Sequence, residues 1–205
     1  MKVSGDAMLH APVEKVWTAL NDPAVLVRTI PGCERLEATG PDSYRMVVTA
    51  GVASIRGTYA GEVLLSERSA PHSFLMTASG AGAPGTVSTE VRVLLADVGD
   101  GSTRLTYDAD AVVGGVVAGV GQRMLVGVAR RMAGEFFSSV DDVLTGAAPV
   151  AAVAPGVTPE PGVFVAPPTA ARPFGGDAFV RGALVGAAIA LAGVLVGGLL
   201  GRRRR

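Results

Sequence analysis

The stretch that sets the expected fold is VVAGVGQRMLVGVARRMAGEFFSSVDDVL, residues 116–144. Apolar side chains recur in it at steps of four, which places them on one face of an α-helix. This stripe consists of Val116, Val120, Met124, Val128, Met132, Phe136 and Val140. The pattern predicts one long helix that closes the folded part of the chain.

Upstream of this helix, short segments alternate between apolar and polar residues in the manner of β-strands. Predicted strands cover residues 2–9, 44–49, 54–65, 73–79, 86–95 and 103–113. Two short helices follow the first strand, one opened by Pro12 and one over residues 24–29. The apolar face of the first helix is formed by Val13, Val16, Trp17 and Leu20. Short connections between the later strands imply an antiparallel meander.

This order of elements predicts an α+β fold of the helix-grip type, a curved antiparallel sheet wrapped around a long C-terminal helix. A pocket is expected between sheet and helix, because the inward strand faces mix aromatic residues with very small ones, such as Gly57, Gly61 and Ala109. Its predicted lining is Tyr59, Val63, Leu105, Tyr107, Met124, Val128, Met132 and Phe136. Alternatively, the twist of the sheet brings the helix close enough to fill this space.

Conventional catalytic and metal-binding sets are not found in the sequence. His10 and His72 each lie beside a proline near a predicted turn, without ligands at metal-binding spacing. Cys33 is the only cysteine, which we interpret as a small buried apolar residue. Asp108 and Asp110 face the outer side of their strand, away from the expected pocket. We therefore predict no catalytic residues, no metal and no enzymatic activity.

Charge is distributed unevenly along the chain. The body, residues 1–146, has 12 Lys and Arg residues against 16 Asp and Glu, a net charge of −4. Residues 147–205 contain six Arg against one Glu and one Asp, a net charge of +4. An acidic body argues against a nucleic-acid partner, because binding to phosphates requires a basic face.

Two segments follow the body. Residues 147–180 contain seven of the 13 prolines and are predicted to form a flexible linker, with roughly 30 Å between its ends as a coil and about 100 Å when extended. Residues 182–201 carry no charge, and a helix of that length is about 30 Å long, the thickness of the hydrocarbon core of a bilayer. Residues 181–205 are therefore predicted to be a C-terminal membrane anchor.

The anchor has two further features. Gly182, Gly186, Gly193 and Gly197 are spaced so that two such helices would pack closely, which would permit a homodimer. Arg202, Arg203, Arg204 and Arg205 would bind anionic headgroups. Because the N-terminus has no export signal, we expect the body on the cytoplasmic face of the cell membrane. The sequence leaves open whether the anchor spans the bilayer or lies in one leaflet.

Several segments carry a family resemblance. They are Ala11-Pro12-Val13-Glu14-Lys15-Val16-Trp17, Leu20-Asn21-Asp22-Pro23, Ile30-Pro31-Gly32-Cys33-Glu34, Gly57-Thr58-Tyr59-Ala60-Gly61, Thr103-Arg104-Leu105-Thr106-Tyr107 and Gly114-Gly115. In them the sequence resembles the carbon monoxide dehydrogenase CoxG family of the START-like polyketide cyclase (SRPBCC) superfamily. The resemblance covers residues 1–146 and implies an accessory protein that recruits a CO dehydrogenase-type molybdenum enzyme to the membrane, without catalytic residues of its own.

The expected pocket and the anchor together predict a non-catalytic binder that takes a lipophilic molecule from the membrane. Next to a respiratory enzyme, the expected cargo is a quinone, either menaquinone or ubiquinone. Tyr59 and Tyr107 would donate hydrogen bonds to a quinone carbonyl, and the apolar liners would pack the ring or tail. One alternative is a recruitment adaptor without a ligand. The other is a polyketide cyclase-like enzyme, which needs an acid–base group inside the pocket.

Overall fold

The computed structural model describes residues 1–147 and 162–166. The strands are β1 (Lys2–Leu9), β2 (Cys33–Gly40), β3 (Ser43–Val52), β4 (Ile55–Ser69), β5 (Ser73–Gly82), β6 (Gly85–Asp97), β7 (Thr103–Gly114) and β8 (Val163–Val165). The helices are α1 (Val13–Leu20), α2 (Pro23–Thr29), a 3₁₀ helix (Val116–Val120) and α3 (Gln122–Leu144).

All eight strands form one antiparallel sheet in the order β1-β7-β6-β5-β4-β3-β2-β8. The strands β2 to β7 follow one another as a meander, and β1 pairs with β7, the last strand before the closing helix. The three α-helices pack on one side of the sheet. The predicted α+β helix-grip architecture is therefore confirmed for the body.

Proline and aspartate residues define where the two short helices begin. Pro12 precedes α1 with φ of −58°, and Pro23 occupies the first turn of α2. At α2 the side chain of Asp22 accepts a hydrogen bond of 2.8 Å from the Ala24 N–H, which satisfies one of the unpaired amides at the helix start.

The structure corrects the prediction at the closing helix, which is not continuous from residue 116. Gly115 and Gly121 adopt φ of 81° and 92°, values that only glycine tolerates easily, and they bound a separate 3₁₀ helix. The chain turns at Gly121 before α3 begins. The prediction of a single helix was wrong because the step-of-four pattern continues through both glycines.

The strand β2 was not predicted from the sequence. Its pairing with β3 shifts register twice, between Cys33 and Arg35 and between Ala38 and Gly40. Such irregularities break the alternation that identifies a strand, and within β2 only Cys33 and Leu36 are buried.

The predicted flexible linker contains a strand. Val163–Val165 pairs with β2, Phe164 packs against the core, and the Ala38 N–H donates to the Gly162 carbonyl at 2.9 Å. These residues of the predicted flexible linker form a strand because Val-Phe-Val is a strand-forming triplet, and it covers the free edge of β2. The remainder of the linker beyond Ala147, and the whole anchor, lie outside the described residues.

Within residues 1–147 and 162–166, no helix combines the length and hydropathy that a membrane crossing needs. In the same part of the chain, no group of three His, Cys, Asp or Glu side chains is arranged to hold a metal ion.

Candidate ligand-binding site

One half of the sheet's inner face is tightly packed. The inward side chains of Leu65, Phe74, Val93 and Leu105 are buried with Leu9 and with apolar residues of the helices, in a single core. Trp17 of α1 packs edge-on against Phe74, with ring centroids 5.8 Å apart. This half, which includes the C-terminal end of α3, is the closed end of the body.

The other half of the same face is only partly covered. Tyr59, Ala78, Val87 and Ala109 continue the inward rows of β4, β5, β6 and β7, but all four are half-buried. Inward apolar residues of a packed core would be buried. We call this half, bounded by the β3–β4 and β5–β6 hairpins and the 3₁₀ helix, the open end.

Helix α3 explains why the open end is uncovered. Its backbone runs closest to β1 and to the two short helices, and it stays farther from the middle strands β4–β7. Val140 near its C-terminus is fully buried, whereas Val128 and Met132 are half-buried and Met124 is exposed. An apolar trough therefore remains between the first half of α3 and the inner face of β4–β7.

The predicted lining residues fall into three groups. Val63, Tyr107 and Phe136 are half-buried and pack against the core. Leu105 is fully buried inside the core, near the start of β7. The remaining four, Tyr59, Met124, Val128 and Met132, lie at half-buried or exposed positions toward the open end.

The glycines within the strands are required by backbone packing, whereas the sequence suggested that they make room for a ligand. A Cβ on Gly57 would lie 2.5 Å from Pro84 Cγ, and one on Gly61 would lie 2.6 Å from the Ser79 carbonyl oxygen. Both distances are shorter than real Cβ contacts. These glycines admit the neighbouring strand and hairpin, and so they do not mark where a ligand approaches.

Tyr107 is held at the side of the trough by β1 and α3. Its ring lies over Gly5, where a Cβ would come within 2.7 Å of the hydroxyl oxygen, and it packs against Phe137 at a centroid distance of 5.6 Å. A groove of about 340 Å³ opens beside it, lined by Asp6, Ala7, Met8, Tyr107, Arg130, Gly134, Phe137, Ser138 and Asp141. Gly5 and Phe137 were not predicted as site residues, although Gly5 is the one glycine within the first predicted strand and Phe137 adjoins the predicted liner Phe136.

An ion pair joins β1 to α3 at the rim of this groove. The His10 backbone N–H donates to Asp141 Oδ1 at 2.7 Å, and His10 Nδ1 pairs with Asp141 Oδ2 at 2.8 Å. The hydrogen bond and charge of Asp141 raise the pKa of His10 above its ordinary value of 6.5. The contact fixes the C-terminal end of α3, and it gives His10 a structural partner.

A second groove, of about 520 Å³, lies on the outer face of the sheet, away from the helices. Its rim carries the Arg45–Glu62 ion pair of 3.5 Å, and its floor is made of small and polar residues such as Ala60, Ser79 and Ser88. Val112 of β7, which is 72% exposed, also lines this groove.

Cys33 is buried, and this burial raises the pKa of its thiol. A thiol with a raised pKa is a poor nucleophile at neutral pH, because only the thiolate reacts. The interpretation of Cys33 as a small buried apolar residue is confirmed.

The fold defines the class of protein. A sheet gripping a long C-terminal helix is shared with a START superfamily protein from Mycobacterium smegmatis (16% identity, TM-score 0.56, covering 72% of this chain and 99% of that one). It is also shared with the ZhuI aromatase/cyclase from Streptomyces sp. R1128 (16% identity, TM-score 0.54, 71% and 93% covered). At these identities the likeness shows the fold alone.

The chain belongs to the carbon monoxide dehydrogenase CoxG family, whose profile matches residues 5–145. It is also similar to a conserved protein from Geobacillus kaustophilus, with 35% identity and a TM-score of 0.69 over 72% of this chain and 97% of that one. No curated protein matches the sequence.

Proposed function

We propose that this chain is a non-catalytic accessory protein that holds an isoprenoid quinone, menaquinone or ubiquinone, in the trough at the open end and serves a CO dehydrogenase-type molybdenum enzyme at the membrane. The observation that carries the proposal is the half-buried apolar inner face at Tyr59, Ala78, Val87 and Ala109, within a body whose closed end is fully packed. The family's name supplies the partner.

The energetics favour a lipophilic occupant. Each 100 Å² of apolar surface that a ligand covers is worth about 2.5 kcal/mol, so a molecule that lies along the trough gains affinity without charged contacts. Tyr59 and Tyr107 are half-buried and offer hydroxyl donors to a carbonyl oxygen. Met132 and Val128 on α3 would pack the ring or the first isoprene units.

The interior gives little support to acid–base chemistry. In residues 1–147 and 162–166 the buried polar residues are Thr29 and Thr103, and each donates its hydroxyl to a backbone carbonyl, of Val25 and Ala11 respectively. Neither can serve as a general base at neutral pH. We therefore assign binding to this chain, and redox chemistry to its partner.

Attachment to the membrane is assigned to residues 181–205, with the body on the cytoplasmic face. The uncharged segment 182–201 and the four terminal arginines support this assignment. A homodimer through the glycines of the anchor is compatible with the same arrangement.

The test uses residues 1–167, which include β8, expressed in a quinone-producing host, extracted with organic solvent and analysed by mass spectrometry. We expect about one quinone per protein. Met132→Asp should lower the retained quinone at least tenfold, whereas Leu94→Asp, at a 50% exposed position on the outer face of β6, should not.

A ligand-free body that still binds its enzyme would establish the recruitment adaptor and end the quinone proposal. Equal loss in Met132→Asp and Leu94→Asp would remove the trough as the site. Circular dichroism of each variant separates loss of ligand from loss of fold.

A further inference from the structure

We propose that the open end of the body docks directly on a bilayer surface that contains anionic headgroups. The docking surface consists of the tips of the β3–β4 and β5–β6 hairpins, the 3₁₀ helix and the first turn of α3. This inference goes beyond the proposed function, because it concerns a surface of the body itself and does not depend on the anchor or on which ligand the trough holds.

Exposed apolar side chains are the first observation. Val116 on the 3₁₀ helix is 69% exposed, and Met124 in the first turn of α3 is 48% exposed. The Val117 N–H donates to the Pro84 carbonyl at 3.0 Å, which joins the 3₁₀ helix to the β5–β6 hairpin. The surface is therefore presented on hydrogen-bonded structure.

The charge of this end is the second observation. Residues 51–61 contain Arg56 as their only charged residue, residues 74–89 contain none, and residues 111–129 contain only Arg123. The nearest carboxylate on β7, Asp110, is set back by about 13 Å along its strand, which exceeds the Debye length of about 8 Å. Glu34 of β2 lies closer, since it accepts a hydrogen bond of 2.7 Å from Thr49 Oγ1, which contacts Thr58 of β4. This end therefore has two arginines and one carboxylate. The closed end, by contrast, carries Asp42, Asp97, Asp100, Asp141 and Asp142.

The charges of α3 are the third observation. Its first turn contains Arg123 and no acidic residue, and its last turn has no basic residue, while Asp141 and Asp142 lie near its C-terminus. The helix dipole favours the reverse arrangement, by about 0.3–1 kcal/mol for each charge. At the C-terminus Asp141 is accounted for by its contact with His10. Helix stability does not account for Arg123 in the first turn, whereas an anionic surface facing the start of α3 does.

Such a surface would hold the mouth of the trough against the headgroups. Val116 would reach the boundary between headgroups and acyl chains, and Arg56 and Arg123 would pair with lipid phosphates. A lipophilic molecule could then pass between bilayer and trough with little exposure to water.

The test places an environment-sensitive fluorophore on residues 1–167 through Val116→Cys, with Leu94→Cys as the matched control. Leu94 is 50% exposed on the outer face toward the closed end, and the buried Cys33 should label slowly. With phosphatidylcholine vesicles that contain phosphatidylglycerol, we expect a blue shift of the emission from position 116 and none from position 94.

Arg123→Ala should weaken vesicle binding about fivefold, the equivalent of about 1 kcal/mol. Arg104→Ala, at the far end of β7, should leave it unchanged.

No vesicle binding, or equal shifts from both positions, would overturn the proposal. So would a label at 116 that responds to the partner enzyme and not to vesicles, since that result assigns the surface to a protein interface. The quinone extraction uses no vesicles, so failure of either proposal is visible without the other.

Discussion

At the scale of single residues, the contact between His10 and Asp141 should make the stability of the body depend on pH. Asp141 raises the pKa of His10 above 6.5, so the protonated histidine is favoured in the folded state. Stability from this pair is present below the unfolded pKa and is lost as pH rises through the folded pKa. We expect His10→Gln to destabilise the body more at about pH 5.5 than at about pH 9. Urea unfolding followed by Trp17 fluorescence measures the difference.

The control for this prediction is His72→Gln. In the described structure the hydrogen bonds of His72 are made by its backbone, to Ser69 and Leu95. Its substitution should therefore cost the same at both pH values. A pH-independent effect of His10→Gln would show that only the geometry of the contact matters.

The glycines differ from one another in what surrounds them. Gly57 lies under the ring of Pro84, which cannot move aside, so Gly57→Ala should destabilise the body by about 1–3 kcal/mol. Gly127 lies within α3 with nothing within 4 Å of its Cβ position, so Gly127→Ala should stabilise it by about 0.5–1 kcal/mol. Urea unfolding of the two variants would contradict this reasoning if both changed stability with the same sign.

At the scale of elements, β8 converts part of the predicted linker into structure. Its pairing covers the edge of β2, and Phe164 packs on the core. A body that ends at residue 147 should therefore be about 1–3 kcal/mol less stable than one that ends at residue 167. Hydrogen exchange should show the Ala38 amide, which donates to Gly162, losing protection.

Two substitutions separate the contributions of β8. Phe164→Ala should account for most of the loss, whereas Val165→Ala, on a 57% exposed side chain, should cost under about 0.5 kcal/mol. Unchanged protection of Ala38 in the shorter body would mean that β8 does not shield β2 in solution.

The elements that the sequence predicted well are those with unbroken periodicity. The long strands β4, β6 and β7 alternate inward and outward positions along most of their length, and short turns fix their antiparallel order. The strand β2 was not predicted because two register shifts interrupt its alternation of inward and outward residues. The break at Gly121 was not predicted because the spacing of apolar residues carries no information about the backbone angle φ. The trough was anticipated, but partly on glycines that serve strand packing.

At the scale of the whole molecule, the body has two unlike ends. The closed end is packed, rich in carboxylates and linked by the His10–Asp141 contact, whereas the open end is largely apolar, with Arg56, Arg123 and Glu34 as its charged residues. The sequence shows that the body and the tail have opposite net charges. The difference between the two ends of the body depends on which turns the fold brings together, and those turns lie far apart in the sequence. Prediction of the site was weakest there, because exposure depends on how far α3 stands from the sheet.

Two modes of membrane attachment follow from these proposals, and they should respond differently to salt. The uncharged anchor inserts by the hydrophobic effect, so the full chain should stay in the membrane pellet at high ionic strength. Docking through Arg56 and Arg123 is electrostatic and should be lost when the Debye length falls to about 3 Å at 1 M salt. Residues 1–167 should then be released from vesicles by salt, while retaining their ligand. Sedimentation of the full chain and the body at low and high salt makes the comparison. Release of the full chain by salt would refute the anchor, and salt-resistant binding of the body would refute the electrostatic part of the docking surface.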